Sequence, residues 1–451
     1  MKRLAVALVL GLGSTAVARA QTSLTIYQDG RVLQRRVLSV AVPAGVSTQR
    51  LALGLLDPGS LFALDSGVAI TGTSYDAALD QAQTLRRAIG KRLGFSVRRP
   101  NGGFDTLSAE VVGVDPERYR LPDGRVTFDR PGTALFPPEL ILAEPTLVLG
   151  VRSDRARTNL GLGYFSSGAS WSAAYTVVLG PRATARIAGQ ATIAAGSLRA
   201  DDAEVQLLAG DVGRAAPKDE MMNLRAARAA PMVAMEAAGQ QQIGEAHLYT
   251  LPGRLSLTPG VQTGVMLFEP ASAAYERTFT VRGQLPFWGG LPQLGDETTE
   301  PVNVTYVVKR ALKTEFGDRP VPGGVVRIYE RDTRGRAQLI GESSIDHSAA
   351  GQDLRLDAGS AFDLTARRLQ TAYETRREAP RTVAMASYTV TVASAKDSAA
   401  TVDVLEQRGG EWAVLTSSVP AEKVSSTITR FRIRVPAKGE VTLTYRVRVV
   451  W

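Results

Sequence analysis

Cysteine is absent from all 451 residues, and histidine occurs only twice, as His247 and His347. Without thiols the chain has no disulfide, no thiolate metal site, no cysteine nucleophile and no lipoprotein anchor. Two histidines so far apart in sequence fit no His-Glu-x-x-His helix and no other metal spacing. Aromatic residues make up only 6%, which argues against the lipid-facing girdles of a membrane barrel. Beyond the first twenty residues, no apolar run approaches the ~20 residues of a spanning helix. A Lys/Arg tail and an arginine–aromatic repeat are also missing, so nucleic acid is not an expected partner.

What is present is ordinary for a globular protein: 44% apolar and 22% charged residues. The length predicts two to four domains, because single cores stop growing at roughly 250–300 residues. Residues 1–20 have the pattern of a signal peptide. Lys2 and Arg3 precede an apolar run from Leu4 to Leu12, and Ala18-Arg19-Ala20 supplies a small-residue cleavage site before Gln21. Arg19 interrupts the run and makes it too short for a membrane anchor. Cleavage there lowers the formal charge from +9 to about +6. Arginines such as Arg430, Arg432, Arg434, Arg446 and Arg448 are spread singly along predicted strands. Such a weak field suits an acidic envelope polysaccharide or a lipid surface, and the partner expected is an envelope protein or polysaccharide, in the periplasm or outside the cell. Oligomeric state is left open.

Along the chain, Asp29-Gly30 marks a hairpin turn between two strands, with a bulge or twist expected near Arg35. Leu79, Ala82, Leu85, Ile89 and Leu93 recur at three- and four-residue steps, which predicts an amphipathic helix over 76–93 capped by Asp76. Its basic residues Arg86, Arg87, Lys91 and Arg92 suit either a docking face or, more simply, a solvated one. Closely spaced short strands over 94–130 suggest a small bent barrel. Prolines around 131–145 mark a boundary, giving an N-terminal β-rich domain over 21–145. A β-sandwich is expected over 146–319, with Trp171, Ala173 and Tyr175 on one core face. A linker at 213–244, rich in Ala, Met, Arg and Gln, interrupts it. Short strands with Gly, Pro and Asp turns over 320–451 predict a C-terminal sandwich. The fold class expected is thus mostly β: antiparallel immunoglobulin-like β-sandwiches, a small barrel-like N-terminal module and one helix.

No catalytic, cofactor-binding or metal-ligating residue is assigned, and no cofactor is expected. Asp346-His347, with Ser343, Ser344, Ser348, Asp353 and Asp363 nearby, has the groups of a hydrolase, but no Gly-x-Ser-x-Gly elbow presents a serine. We read the pair as a turn that hydrogen-bonds its own loop. Gly161-Leu162-Gly163 has Ser166 where a dinucleotide fingerprint needs glycine, and is read as a turn. Gly90-Lys91 lacks the rest of a phosphate loop, and Asp201-Asp202 lacks a calcium-loop pattern. Two alternatives to a binding or structural role stand. One is a hydrolase of envelope or extracellular polymers, whose paired carboxylates need no local motif. The other is a membrane barrel closing on the alternating strand Val441, Leu443, Tyr445, Val447, Val449 and Trp451.

Several words of the sequence carry a resemblance. They are "WSAAYTVVLG" at 171–180, "HLYTLP" at 247–252, "VVRIYE" at 325–330, "LIGE" at 339–342 and "IDH" at 345–347. "AFDL" at 361–364, "AKD" at 395–397 and "LTYRV" at 443–447 continue the series. With these the chain resembles a family of exported bacterial proteins that carry a C-terminal domain of unknown function and are related to the mucoidy inhibitors. The turns at 193–196 and 392–397 lack an asparagine common at such places in that family. The resemblance implies export and β-sandwich architecture. It implies no catalytic residue.

Overall fold

The computed structural model describes residues 21–77, 79–100, 102–142, 144–213, 240–243, 246–284, 294–378, 381–408 and 411–450. The expected signal peptide, most of the linker at 213–244 and Trp451 lie outside the described residues.

Regular structure is almost entirely β, as the turn spacing predicts. The first strands are β1 (Thr22–Tyr27), β2 (Arg31–Leu38), β3 (Gly45–Ala52), β4 (Phe62–Ala63) and β5 (Val68–Asp76). Helix α1 (Gln81–Arg87) leads to β6 (Arg92–Arg98), β7 (Phe104–Val114), β8 (Glu117–Arg120), β9 (Val126–Thr127) and β10 (Thr133–Leu135). Next come β11 (Thr146–Ser153), β12 (Leu160–Ser167), β13 (Ser170–Leu179), β14 (Thr184–Ala195) and β15 (Ala200–Ala209). β16 (Gln240–Ile243), β17 (Ala246–Leu257), β18 (Val261–Gln284) and β19 (Glu297–Val308) follow. Then β20 (Gly324–Arg331), β21 (Ala337–Ile345), β22 (Leu354–Glu378) and β23 (Arg381–Ser394). The chain closes with β24 (Ala400–Gln407), β25 (Glu411–Ser417), β26 (Ala421–Lys423), β27 (Ile428–Val435) and β28 (Glu440–Val450).

Two compact units result. The first holds Met1–Ser170, Ala194–Leu207 and Leu251–Gln262, and the second the rest. The cuts expected at 145 and 319 therefore do not coincide with the division. β11, just past the expected first cut, is the middle strand of the sheet β3-β11-β5. Proline density marked a loop there, and strand pairing over long sequence separation carried the unit past it.

In the first unit, β15-β1-β2-β12-β4 form one sheet. Leu51, Leu147, Leu149, Val151, Leu160, Leu162 and Tyr164 form a core between it and β3-β11-β5. Each such side chain contributes roughly 1.5–3 kcal/mol by leaving water. A third sheet, β10-β6-β7-β8-β9, is antiparallel and open: no pairing among the described residues closes it, or any other sheet, into a barrel. Phe95 and Tyr119 meet edge to face in its core beside Leu85 of α1. The helix is far shorter than the 76–93 expected. Asp76 ends β5, and the N-cap is Asp80, whose Oδ1 accepts from the Gln83 N–H at 2.8 Å. Gly90 at φ +79° turns the chain out of the helix. Leu93 is buried by strand alternation with Phe95, so the apparent helical spacing ran across a real boundary. Two of the basic residues are paired: Arg87 with Asp76 at 2.8 Å and Arg86 with Asp115 at 2.9 Å.

The second unit is built on the path β21-β20-β13-β14-β18-β19-β22-β23-β28-β25. Two of its pairings are parallel, β13 with β20 and β18 with β24, where an all-antiparallel arrangement was expected. Each joins strands more than 100 residues apart, which leaves no turn signal to read. Trp171, Ala173 and Tyr175 are buried together as expected, and the Tyr175 hydroxyl donates to the Pro322 carbonyl at 2.7 Å. β28 lies between β23 and β25, and its alternation buries Leu443, Tyr445, Val447 and Val449. Tyr445 stacks on Tyr388 and Phe431 at 5.3 and 5.0 Å.

An ionic cluster lies inside this apolar core. Arg368 Nε donates to Glu300 Oε1 at 2.5 Å, and Nη1 donates to the Tyr445 hydroxyl at 2.7 Å. Nη2 is 2.6 Å from Glu406 Oε1, as an ion pair off the hydrogen-bond direction. Arg408 Nη2 donates to the other Glu406 oxygen at 3.1 Å. Glu406 is wholly buried and Arg408 nearly so, so each charge depends on the others for solvation. Burial, with Glu406 next, holds the Tyr445 hydroxyl well above its ordinary range.

Candidate functional site: a polar groove in the first unit

β1 and β2 form the hairpin expected at Asp29-Gly30, with Gly30 at φ +90°. The bulge expected near Arg35 is not there. Register runs unbroken from Thr22↔Arg36 to Ile26↔Val32. Val32, Gln34 and Arg36 therefore share the inward face of β2, while Leu33 and Val37 point outward. Polar residues occupy two of the four inward positions, Val32, Gln34, Arg36 and Leu38, which is why apolar alternation alone appeared to change phase.

β12 lies on the other side of β2, with Tyr164 opposite Gln34 and Leu162 opposite Arg36. Gly161-Leu162-Gly163, read as a turn, is thus part of a strand. Its glycines serve a close approach: a Cβ on Gly163 would collide with the Phe62 ring of β4, the strand that pairs along this edge.

A line of hydrogen bonds crosses this face. Gln34 Nε2 donates to Ser166 Oγ at 2.8 Å. The Tyr164 hydroxyl donates to Gln34 Oε1 at 3.3 Å and accepts from Arg36 Nη1 at 3.5 Å. Gln34, Ser166 and Tyr164 are buried, and Arg36 is half-buried. Burial raises the Tyr164 hydroxyl above its usual range, with the Arg36 charge pulling the other way. Arg36 Nε is buried with no hydrogen-bond partner, and no carboxylate pairs with this guanidinium among the described residues. Some half-buried arginines meet one, as Arg31 does Asp29 and Arg87 does Asp76, whereas Arg35 and Arg118 share with Arg36 the lack of a paired carboxylate among the described residues; of these three, Arg36 is the one that lines a pocket.

Arg36 lines a pocket of about 420 Å3 together with Thr22, Leu53, Glu144, Ser167, Ser197, Arg199 and Asp201. Arg199 and Asp201 are paired at 3.5 Å and largely exposed, so solvent screens that pair. The wall mixes hydroxyls and charges with apolar residues, among them Leu53, Leu55 and Leu198. It can accept a polar ligand and supply one cation that has no internal counter-ion. Sequence reasoning missed the site because its residues come from six separated stretches, with no spacing to recognise. The available signal was the pair Gln34 and Arg36 at inward positions of a strand.

A second depression, of about 430 Å3, lies in the second unit over Thr371, Thr389, Thr416, Ser418 and Thr444. Its arginine, Arg446, already has Glu374 at 3.5 Å. Asp346 and His347 are exposed. His347 Nδ1 accepts from the Gly323 N–H at 3.1 Å, and Ser348 Oγ donates to the Asp346 carbonyl at 3.2 Å. Ser343 Oγ accepts from the Asp357 N–H, so the structure does not join serine, imidazole and carboxylate here. His247 is half-buried in β17, and its pKa is lowered by burial first and then by the charge of His347. Distance in sequence thus hid that His347 lies close enough to act on His247. Asp201 pairs with Arg199, and no metal-holding group of His, Asp and Glu occurs among the described residues. No helix of the described residues is long and apolar enough to cross a membrane.

Comparison of the chain with protein-family models, with curated proteins and with solved structures finds no match in any of the three. Fold and groove together define a two-unit, mostly-β protein with an arginine among the lining residues of a partly polar pocket.

Proposed function

We propose that the chain is an exported cell-envelope protein that binds a polar envelope component through the groove of its first unit. The observation that carries this reading is Arg36: a half-buried cation lining a partly polar pocket, with no carboxylate paired to it among the described residues. A half-buried guanidinium with no paired carboxylate can give an anionic ligand a charge-assisted hydrogen bond that the chain itself does not use. The leader-like pattern at 1–20 supports export, and the resemblance to exported bacterial proteins points the same way. Fractionation of expressing cells tests the location: the reading expects the protein, shortened at its N-terminus, in the periplasm or medium. Passing an envelope glycan fraction over the immobilised protein tests binding. Full-length protein in the cytoplasm, or no retention above a blank column, would overturn it.

A second reading, hydrolysis of envelope or extracellular polymers, has one observation in its favour: Glu144 and Asp201 line the same groove as Arg36. Paired carboxylates are what glycoside hydrolysis requires. Release of new reducing ends from the retained glycan, abolished by Glu144→Gln or Asp201→Asn, would establish it in place of simple binding.

A further inference from the structure

We infer that the groove is selective for a singly charged carboxylate carried on a sugar, that is, a uronic-acid-type residue. The inference rests on the binding reading above and adds the ligand's chemistry.

The charge comes first. Arg36 Nη1 reaches the Tyr164 hydroxyl at 3.5 Å, at the end of the line Ser166–Gln34–Tyr164, which sets the direction of its guanidinium. Its Nε is sealed from solvent, and Nη1 is directed at the Tyr164 hydroxyl. Nη2 is the nitrogen left for the groove, and it calls for an anionic oxygen. The size of that negative charge is limited by the other walls. Glu144 lines the same pocket with no ion pair among the described residues and repels a second negative charge, while Asp201 is offset by Arg199. A doubly charged phosphate meets that repulsion in full, whereas a carboxylate keeps one negative charge and the Arg36 contact.

The rest of the ligand follows from the remaining atoms. Thr22, Ser167 and Ser197 offer hydroxyls, which both donate and accept, and Glu144 and Asp201 offer acceptors only. A group that answers all of these has several hydroxyls around a compact frame. Sugar rings have that pattern; an apolar side chain leaves every one of these atoms unmatched. About 420 Å3 falls within the range of small-molecule sites, and holds a short oligosaccharide rather than a single ion.

The test uses the folded protein beginning at Gln21 and titrates it calorimetrically with three probes. These are oligogalacturonate, the same oligomer with its carboxyls reduced to alcohols, and inorganic phosphate. Oligogalacturonate is expected to bind saturably, and the reduced oligomer and phosphate about tenfold or more weakly, the worth of a charge-assisted hydrogen bond. Arg36→Gln should bring the acidic oligomer down to the level of the reduced one, with an unchanged melting curve as the check on folding. Glu144→Gln, an exposed substitution, should strengthen phosphate binding severalfold by removing one repelling charge. Equal affinity for the acidic and reduced oligomers, or acidic-oligomer affinity unchanged in a folded Arg36→Gln, would overturn the inference. If envelope glycan is retained equally by the wild type and Arg36→Gln, the carboxylate assignment fails while the binding reading stands. If neither glycan nor oligomer is retained, both fall.

Discussion

Gly283 lies directly against the ion pair of Arg368 and Glu406: a Cβ at this position would stand 2.5 Å from Glu406 Oε2 and 2.6 Å from Arg368 Nη2. The interior of the second unit therefore closes around two buried charges only because β18 has no side chain there. Glu406→Leu leaves Arg368 and Arg408 buried without a shared carboxylate, and should cost about 3–5 kcal/mol. Gly283→Ala forces the same pair apart, and the expected loss is about 1–3 kcal/mol. Urea unfolding measures both. Losses well below 1 kcal/mol would mean that the cluster relaxes into water.

Arg36 should behave in the opposite way. Arg36→Met removes a cation that has no carboxylate and keeps an apolar stem in its place, so stability should move by about 1 kcal/mol or less in either direction. Thermal melting of ligand-free protein is the measurement. A loss as large as that of Glu406→Leu would make Arg36 a structural residue and remove the basis for the groove reading.

His247 sets an acid limit. Its folded pKa lies below the usual 6.5, through burial first and then the charge of His347. The unfolded chain therefore takes up a proton that the folded one refuses, and stability should fall as pH drops from about 6.5 toward the lowered folded value. His247→Gln should flatten that slope, and His347→Gln should flatten it in part. Melting temperatures across pH 7.5 to 5 decide the matter, and equal slopes for wild type and both variants would contradict it.

Arg310 organises a loop instead of a site. It is buried, with Nη1 donating to the carbonyls of Ala349 at 2.9 Å and Gln352 at 3.1 Å and Nη2 donating to that of Arg319. Burial lowers its pKa to about 10. Arg310→Met leaves these acceptors without donors, for an expected loss of about 1–3 kcal/mol. Limited proteolysis should then cut within 310–320 faster than in the wild type. Unchanged cleavage would show that the Arg310 N–H to Asp353 bond alone holds the loop.

Among the elements, the hairpin at Asp29-Gly30 and the core face of Trp171, Ala173 and Tyr175 were legible because each rests on local periodicity or turn chemistry. The helix was legible in kind but not in length, because Leu93 continued a helical spacing from within a strand. The groove was not legible. Thr22 and Arg36 face each other across the legible hairpin, but Glu144 and Ser197 reach them from loops far along the chain, and nothing in their neighbours' sequences records that meeting.

Sequence alone settled the mostly-β class and the lack of any thiol chemistry, because alternation, turn residues and composition act within a few residues of one another. Tertiary structure decided which polar residues turn inward. At Gln34 and Arg36 the pleat of β2 faces them toward the first unit's interior, and at Arg368 and Glu406 two remote strands bury opposite charges together. The physical reason is that charge is neutralised in space, and the carboxylate that meets an arginine, or fails to, is fixed by the fold.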